Sequence, residues 1–337
     1  MKRPVGCVPI SFRVFVLGLL AIHSGITDGQ TPDAVKGVVT HTLPELQRSL
    51  IDRVRLAPKS LSRKEREQAR WFPRPLSWQS GRLVTWDADR AEIQSQDDSI
   101  ETVAGSRVVG FQLSSLSENE RTALETLQRG EYAAALPLLI RCVSQPDPKK
   151  RPAVWRQQWL SMLAAQAAMR SGRGEIAIEL VTQLDRRSLP NLTLSLLPIE
   201  WKPPAGQAER LQEAAIKGAS SPSPAVKLVA ASWLLRSDQY RAAAESAIRR
   251  LATQESRPRI AMLARQLTWK QKTPPDLLAS LAEWEKEVSS LPMSLQIGPM
   301  ILLAEQARQV GATEAAQRWK LSLELAAPTW HPDLTRP

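Results

Sequence analysis

Cysteine and histidine are scarce in this chain, with two and three copies among 337 residues. Long apolar runs are missing as well. The most continuous one, VFVLGLLAI at 14–22, is nine residues long, far short of the roughly 20 that a bilayer core demands. Lys2, Arg3 and Arg13 precede it and HSGITDG follows, which is the layout of a secretory signal. Cleavage is expected between Ser24 and Gln30, and Cys7 stands before the run rather than closing it, which argues against a lipoprotein. Once residues 1–29 are removed, Cys142 alone remains, so no intramolecular disulfide can form even in an oxidising compartment.

The remaining shortages close further classes of function. Cys142 lies among Leu138, Leu139, Ile140 and Val143, a setting that reads as a small buried residue rather than a reactive thiol. His41 and His331 stand near opposite ends of the mature chain, so a Ser-His-Asp triad or a histidine-rich metal site is hard to assemble. His331, in TWHPDL, reads as an exposed tail residue. SGRGE (171–175) lacks the lysine and hydroxyl of a phosphate loop and reads as a turn. NLT (191–193) is a glycosylation sequon by pattern only. The expectation is a protein that is not an enzyme, with no catalytic residues, cofactor or metal.

What is plentiful is positive charge and helix-forming residues. Lysine and arginine number 45 against 34 acidic residues, a net charge of +11, and 43% of the chain is hydrophobic, enough to bury a core. Two regimes follow the signal. Residues 30–113 read as a small basic module with antiparallel strands: RLVTW (82–86), AEIQ (91–94), IETV (100–103) and RVVGFQL (107–113), punctuated by the acidic turns DAD and QDD. In RLVTW, Leu83 and Thr85 alternate with Val84 and Trp86, the period of a half-buried strand. Upstream, 43–56 repeats Leu46, Leu50 and Val54 at helical spacing, and 62–72 is a second, highly charged helical candidate. From residue 114 to 327 alanine, leucine, glutamine and arginine recur at helical spacing, opening on a capping box at Ser117 and Glu120. Residues 328–337 form a tail. Tryptophans at 155, 159, 233, 269, 284 and 319 sit in apolar helical segments and read as core fillers.

One phrase recurs in the helical region. RGEYAAALPLLIRCV (129–143) is echoed by SDQYRAAAESAIRRL (237–251) and by VGATEAAQRWKLSL (310–323). Tyr132 and Tyr240 wedge the turn, and Ala135 and Ala243, three residues on, allow two helices to approach closely. Gly172 with Ala177 and Gly311 with Ala316 supply two further copies. Pro137 should kink the second helix of the first copy. This pattern resembles the tetratricopeptide repeat, in a degenerate form: Gly130, Tyr132 and Ala135 match its second helix, followed by Leu139 and Cys142. The spacings imply a hidden hairpin in each gap, with helices in 206–218, 257–271 and 275–288, while 192–201 is helix or strand. The strand rhythm of 78–112 is similar to that of small SH3-like or Sm-like barrels.

The fold class expected is therefore mainly α, an irregular α-solenoid of about six helical hairpins preceded by a small β-containing module. The tetratricopeptide resemblance implies an exported scaffold that takes a protein or peptide partner in a groove lined by first helices, exposing Arg156, Lys227 and Arg265. The alternative is a polyanion-binding envelope protein, working through the basic run that includes Arg53, Arg55, Arg63, Lys64, Arg66 and Arg70 beside Trp71 and Trp78. For an exported chain, an anionic envelope polymer is expected there rather than nucleic acid. The expected location is the periplasm or the outside of the cell, with no transmembrane span after cleavage.

Overall fold

The computed structural model describes residues 52–58, 76–114, 116–144, 152–202, 208–271, 274–326 and 331. The expected signal at 1–29 and the helical candidate at 62–72, with Arg63, Lys64, Arg66, Arg70 and Trp71, lie outside the described residues.

Six short strands come first: β1 (Arg53–Leu56), β2 (Ser77–Ser80), β3 (Arg82–Trp86), β4 (Arg90–Gln94), β5 (Ile100–Ala104) and β6 (Val108–Gln112). They form two three-stranded antiparallel sheets, ordered β2-β1-β6 and β3-β4-β5. Only Gly81 separates β2 from β3, so one continuous stretch of chain passes from the first sheet to the second, and a 3-10 turn (Gly105–Arg107) returns it from β5 to β6. The helix expected over 43–56 is overturned at its end. Arg53–Leu56 is a strand, because Val54 and Leu56 point inward at period two against β6, and the leucines upstream had masked that alternation. The alternation expected in β3 also fails. A register shift between Leu83 and Thr85 turns both Leu83 and Trp86 inward and leaves Val84 exposed.

Twelve α-helices follow among the described residues: α1 (Glu118–Gln128), α2 (Tyr132–Val143), α3 (Val154–Arg170), α4 (Gly174–Leu184), α5 (Asn191–Ser195), α6 (Ala208–Ala219), α7 (Pro224–Leu234), α8 (Arg241–Ala252), α9 (Pro258–Leu267), α10 (Pro274–Ser290), α11 (Ile297–Gln309) and α12 (Thr313–Ala326). Ser117 caps α1 as expected: Glu120 N donates to its hydroxyl at 3.3 Å, and the Glu120 carboxylate accepts from the Ser117 backbone at 3.0 Å. Consecutive helices pack on one another from α1 to α4, from α6 to α9 and from α10 to α12, and α4 packs on α6.

Three of the turns between helices are the same object. Gly130, Gly172 and Gly311 have φ of +79°, +74° and +74°, where an L side chain is strained. In each turn the glycine N–H reaches the carbonyl three residues back and the next N–H reaches the carbonyl five residues back, the two bonds of a Schellman motif. Counted from the helix start, Ala135, Ala177, Ala244 and Ala316 all hold the fourth position of α2, α4, α8 and α12. The first three are buried and Ala316 is half-buried. The expected role of Ala243 is thus corrected to Ala244: Tyr240 is the cap residue before α8, whereas Tyr132 is the first residue of α2, so the pattern slips by one. Helix α2 runs unbroken through Pro137. Pro137 and Ala133, whose carbonyl loses its partner, are both exposed, so water can take that bond.

The sequence left 192–201 open, and the structure makes it an internal plug. Helix α5 is five residues long, and every residue of 189–201 is buried. Irregular backbone in a core must find partners, and side chains from several helices supply them. Gln166 donates to the carbonyls of Leu196 and Leu197 at 2.9 and 3.0 Å, and Trp233 Nε1 donates to that of Pro198 at 2.8 Å. The Glu200 N–H donates to Ser232 Oγ at 3.1 Å, its carbonyl accepts from Lys270, and its carboxylate pairs with Arg236. The Trp201 indole packs against Gly298 of α11, where an added Cβ would collide with the ring. Asn191 and Thr193 are themselves buried, so the sequon is closed to glycosylation in the folded protein.

The two sheets and the helices share one core. Trp155 of α3 donates its Nε1 proton to the Leu83 carbonyl at 3.0 Å, and its ring meets Trp86 and Phe111 at 5.9 and 5.0 Å. The boundary drawn after residue 113 marks a change of secondary structure and not a break in packing.

Candidate functional site

Where α4 ends and α9 begins, two loops diverge and leave a cleft of about 340 Å3. One wall is 185–189 with Leu194, and the other is 256–260. Four arginines, at 186, 187, 257 and 259, enter its lining, together with Ser188 and Ser256. Leu189, Leu194 and Ile260 are buried and form an apolar floor.

Asp185 holds this arrangement. It ends α4, and its carboxylate, 4% exposed, accepts from Ser223 Oγ at 2.6 Å, from Ala225 N at 3.4 Å and from Arg257. Ser223 in turn caps α7, accepting from Val226 N at 3.2 Å. One buried carboxylate thus fastens the end of α4 to the start of α7 and, through the Arg257 side chain, to the start of α9. Arg257 also donates to the Asp185 carbonyl at 3.4 Å. Arg259 reaches the other way, to the Ala88 carbonyl and the Asp89 carboxylate in the β3–β4 turn, both at 3.0 Å. In that turn, burial works to raise the Asp87 carboxyl. The backbone N–H groups of Arg90 and Asp89, with the charges of Arg90 and Arg259, outweigh it and hold Asp87 below the usual carboxylate range.

Two guanidinium groups are therefore oriented by the protein, while Arg186 and Arg187 are exposed and make no ion pair among the described residues. Helix α9 opens at Pro258 with no side chain capping it, so its first-turn amides add partial positive charge to the same wall. Chemically, the cleft offers cationic donors at its rim above an apolar floor. No protein-family model, curated protein or solved structure matches the chain.

The residues that the sequence put forward are distributed differently. Arg156 is not on an exposed groove. Its side chain is 15% exposed and pairs with the buried Glu120 carboxylate at 3.0 Å. Lys227 is half-buried on α7, and Arg265 on α9 is exposed, 3.9 Å from the Glu287 carboxylate. None of the three lines the cleft. His331, expected to be exposed, is fully buried. Cys142 is buried as expected; burial and then the Glu120 charge push its thiol up to about 11. On the sheets, Arg55 lies 5.5 Å over the ring of Trp78, which is 43% exposed. The cleft arginines did carry a sequence signal, the runs DRRS (185–188) and RPR (257–259) at helix boundaries, but only folding brings these runs, about 70 residues apart, to one place.

Proposed function

We propose that this protein is an exported, non-enzymatic interaction protein built from tetratricopeptide-like hairpins, and that a protein partner docks at the arginine-lined cleft. The repeat reading is supported by the three matching glycine turns and by alanine at the fourth position of α2, α4, α8 and α12. Plug 189–201 stands where a first helix of the third hairpin would run, so the array is irregular there and the interior is occupied by the chain itself. This moves the expected binding surface from an inner groove to the outside. The observation that carries the reading is the cleft: an open recess with two fixed and two exposed arginines over apolar side chains. The likeness of 78–112 to small SH3-like or Sm-like barrels is supported by the passage of β2 into β3 across two sheets and by the 3-10 turn before β6.

The test is photo-crosslinking in the producing cell, with a photoreactive amino acid at Ser188 in the cleft or at Ala242 on the exposed side of α8. A discrete protein adduct from position 188, absent from position 242, is expected. Equal labelling from both positions, or none from 188, refutes docking at the cleft.

A second reading, a polyanion-binding envelope protein, is favoured by the Arg55–Trp78 pair, a cation over an exposed ring on the basic module. It requires retention on an anionic polymer that falls steeply with salt and that Trp78→Ala weakens.

A further inference from the structure

We infer that the cleft is selective for an acidic polypeptide segment that carries an apolar side chain between its carboxylates. This rests on the docking reading above and names the chemistry of the partner.

Three features of the cleft lead to it. First, charge: its ionisable lining is four arginines against Asp185; Arg257 is paired with Asp185 and Arg259 with Asp89, which leaves Arg186 and Arg187, exposed and in no ion pair among the described residues, as the surplus positive charge. The planar guanidinium fork matches a carboxylate in two-point fashion. Second, the floor: Leu189, Leu194 and Ile260 are the apolar surface beneath those cations. A polymer of phosphate groups has nothing to place on such a floor and would leave it wet. A leucine or valine flanked by aspartates would cover it and reach the rim on both sides. Third, preorganisation: Arg257 is held by Asp185 and Arg259 by the β3–β4 turn, so part of the ordering cost of binding is met before the ligand arrives. A second copy of this chain is a poor occupant, because two strongly basic molecules repel.

The experiment measures fluorescence anisotropy of the full mature chain with labelled synthetic peptides. One has the form Asp-Asp-Leu-Asp-Asp, one replaces the leucine by serine, and one replaces the aspartates by asparagine. Long-chain polyphosphate is the competing anion. The acidic leucine peptide is expected to bind, with affinity falling about tenfold or more on going from 50 to 300 mM salt. The serine peptide should bind about tenfold more weakly, the worth of one buried aliphatic side chain, and the asparagine peptide not at all. The R186E/R187E protein should lose about tenfold or more, while circular dichroism confirms that it folds, since both side chains are exposed. Equal binding of the leucine and serine peptides, tighter binding of polyphosphate, or an unchanged R186E/R187E protein each overturns the inference. If the crosslink from position 188 stands while these peptides fail, docking survives and the acidic-apolar ligand does not.

Discussion

Cys142 illustrates how a single side chain reports on the fold. It sits in α2, 3% exposed, and its thiol is raised from 9.0 to about 11 by burial and by the Glu120 carboxylate behind it. An acid whose pKa is higher in the folded state keeps its proton while the unfolded chain loses it. Stability is therefore unaffected below pH 9, declines between pH 9 and about 11, and levels off above. Urea denaturation of the wild type and of Cys142→Ala across that window should give a steeper fall for the wild type; parallel curves would mean that the thiol is not buried. The same placement makes the native protein resistant to alkylation at pH 8. The sequence disclosed this residue correctly because its apolar neighbours are local. It misjudged His331, since nothing in TWHPDL records which distant surface covers it, and it misjudged Arg156, whose partner Glu120 lies 36 positions away.

At the level of elements, three glycine turns share one geometry. At Gly130 and Gly311 an added methyl would meet nothing within 4 Å, so the whole cost of alanine is the left-handed backbone, about 1 kcal/mol for each. At Gly298 the methyl would run into the Trp201 ring, and the plug or α11 must shift. Gly130→Ala and Gly311→Ala should therefore each lower stability by about 1 kcal/mol, and Gly298→Ala by about 3 kcal/mol, read from urea midpoints. A Gly298→Ala protein as stable as Gly130→Ala would show that the indole does not pack there. Much of this level was written in the sequence. Strands β4 to β6, the capped start of α1 and helices α6, α9 and α10 follow from local signals, β3 was located while its inward-facing residues were not, and the alanines at 135, 177 and 316 follow from the repeated phrase. What escaped were β1 and β2, each four residues long, too short for a period to declare itself, and the one-residue slip at Tyr240. The plug escaped because its partners, Gln166, Ser232, Trp233 and Lys270, are spread over more than a hundred positions.

Across the described residues, strands and helices depend on one another. Trp155 satisfies its indole proton on Leu83 and shares an aromatic cluster with Trp86 and Phe111, and Arg259 of the cleft is steadied by the β3–β4 turn. A fragment of residues 114–337 should keep helical circular dichroism but lose the part of the near-ultraviolet signal that comes from Trp155 and Trp159, and unfold without a sharp transition. A fragment with a sharp, native-like transition would mean that the two parts fold independently. Residues 189–201 extend this dependence into time. During synthesis that stretch emerges before α7, the lysine at 270 and α11, the parts that enclose it. Its leucines and Trp201 stay uncovered until nearly the entire chain has been made, so folding waits on contacts of long sequence separation and proceeds slowly. Until that wait ends, the nascent chain exposes apolar surface, the condition in which aggregation competes with folding.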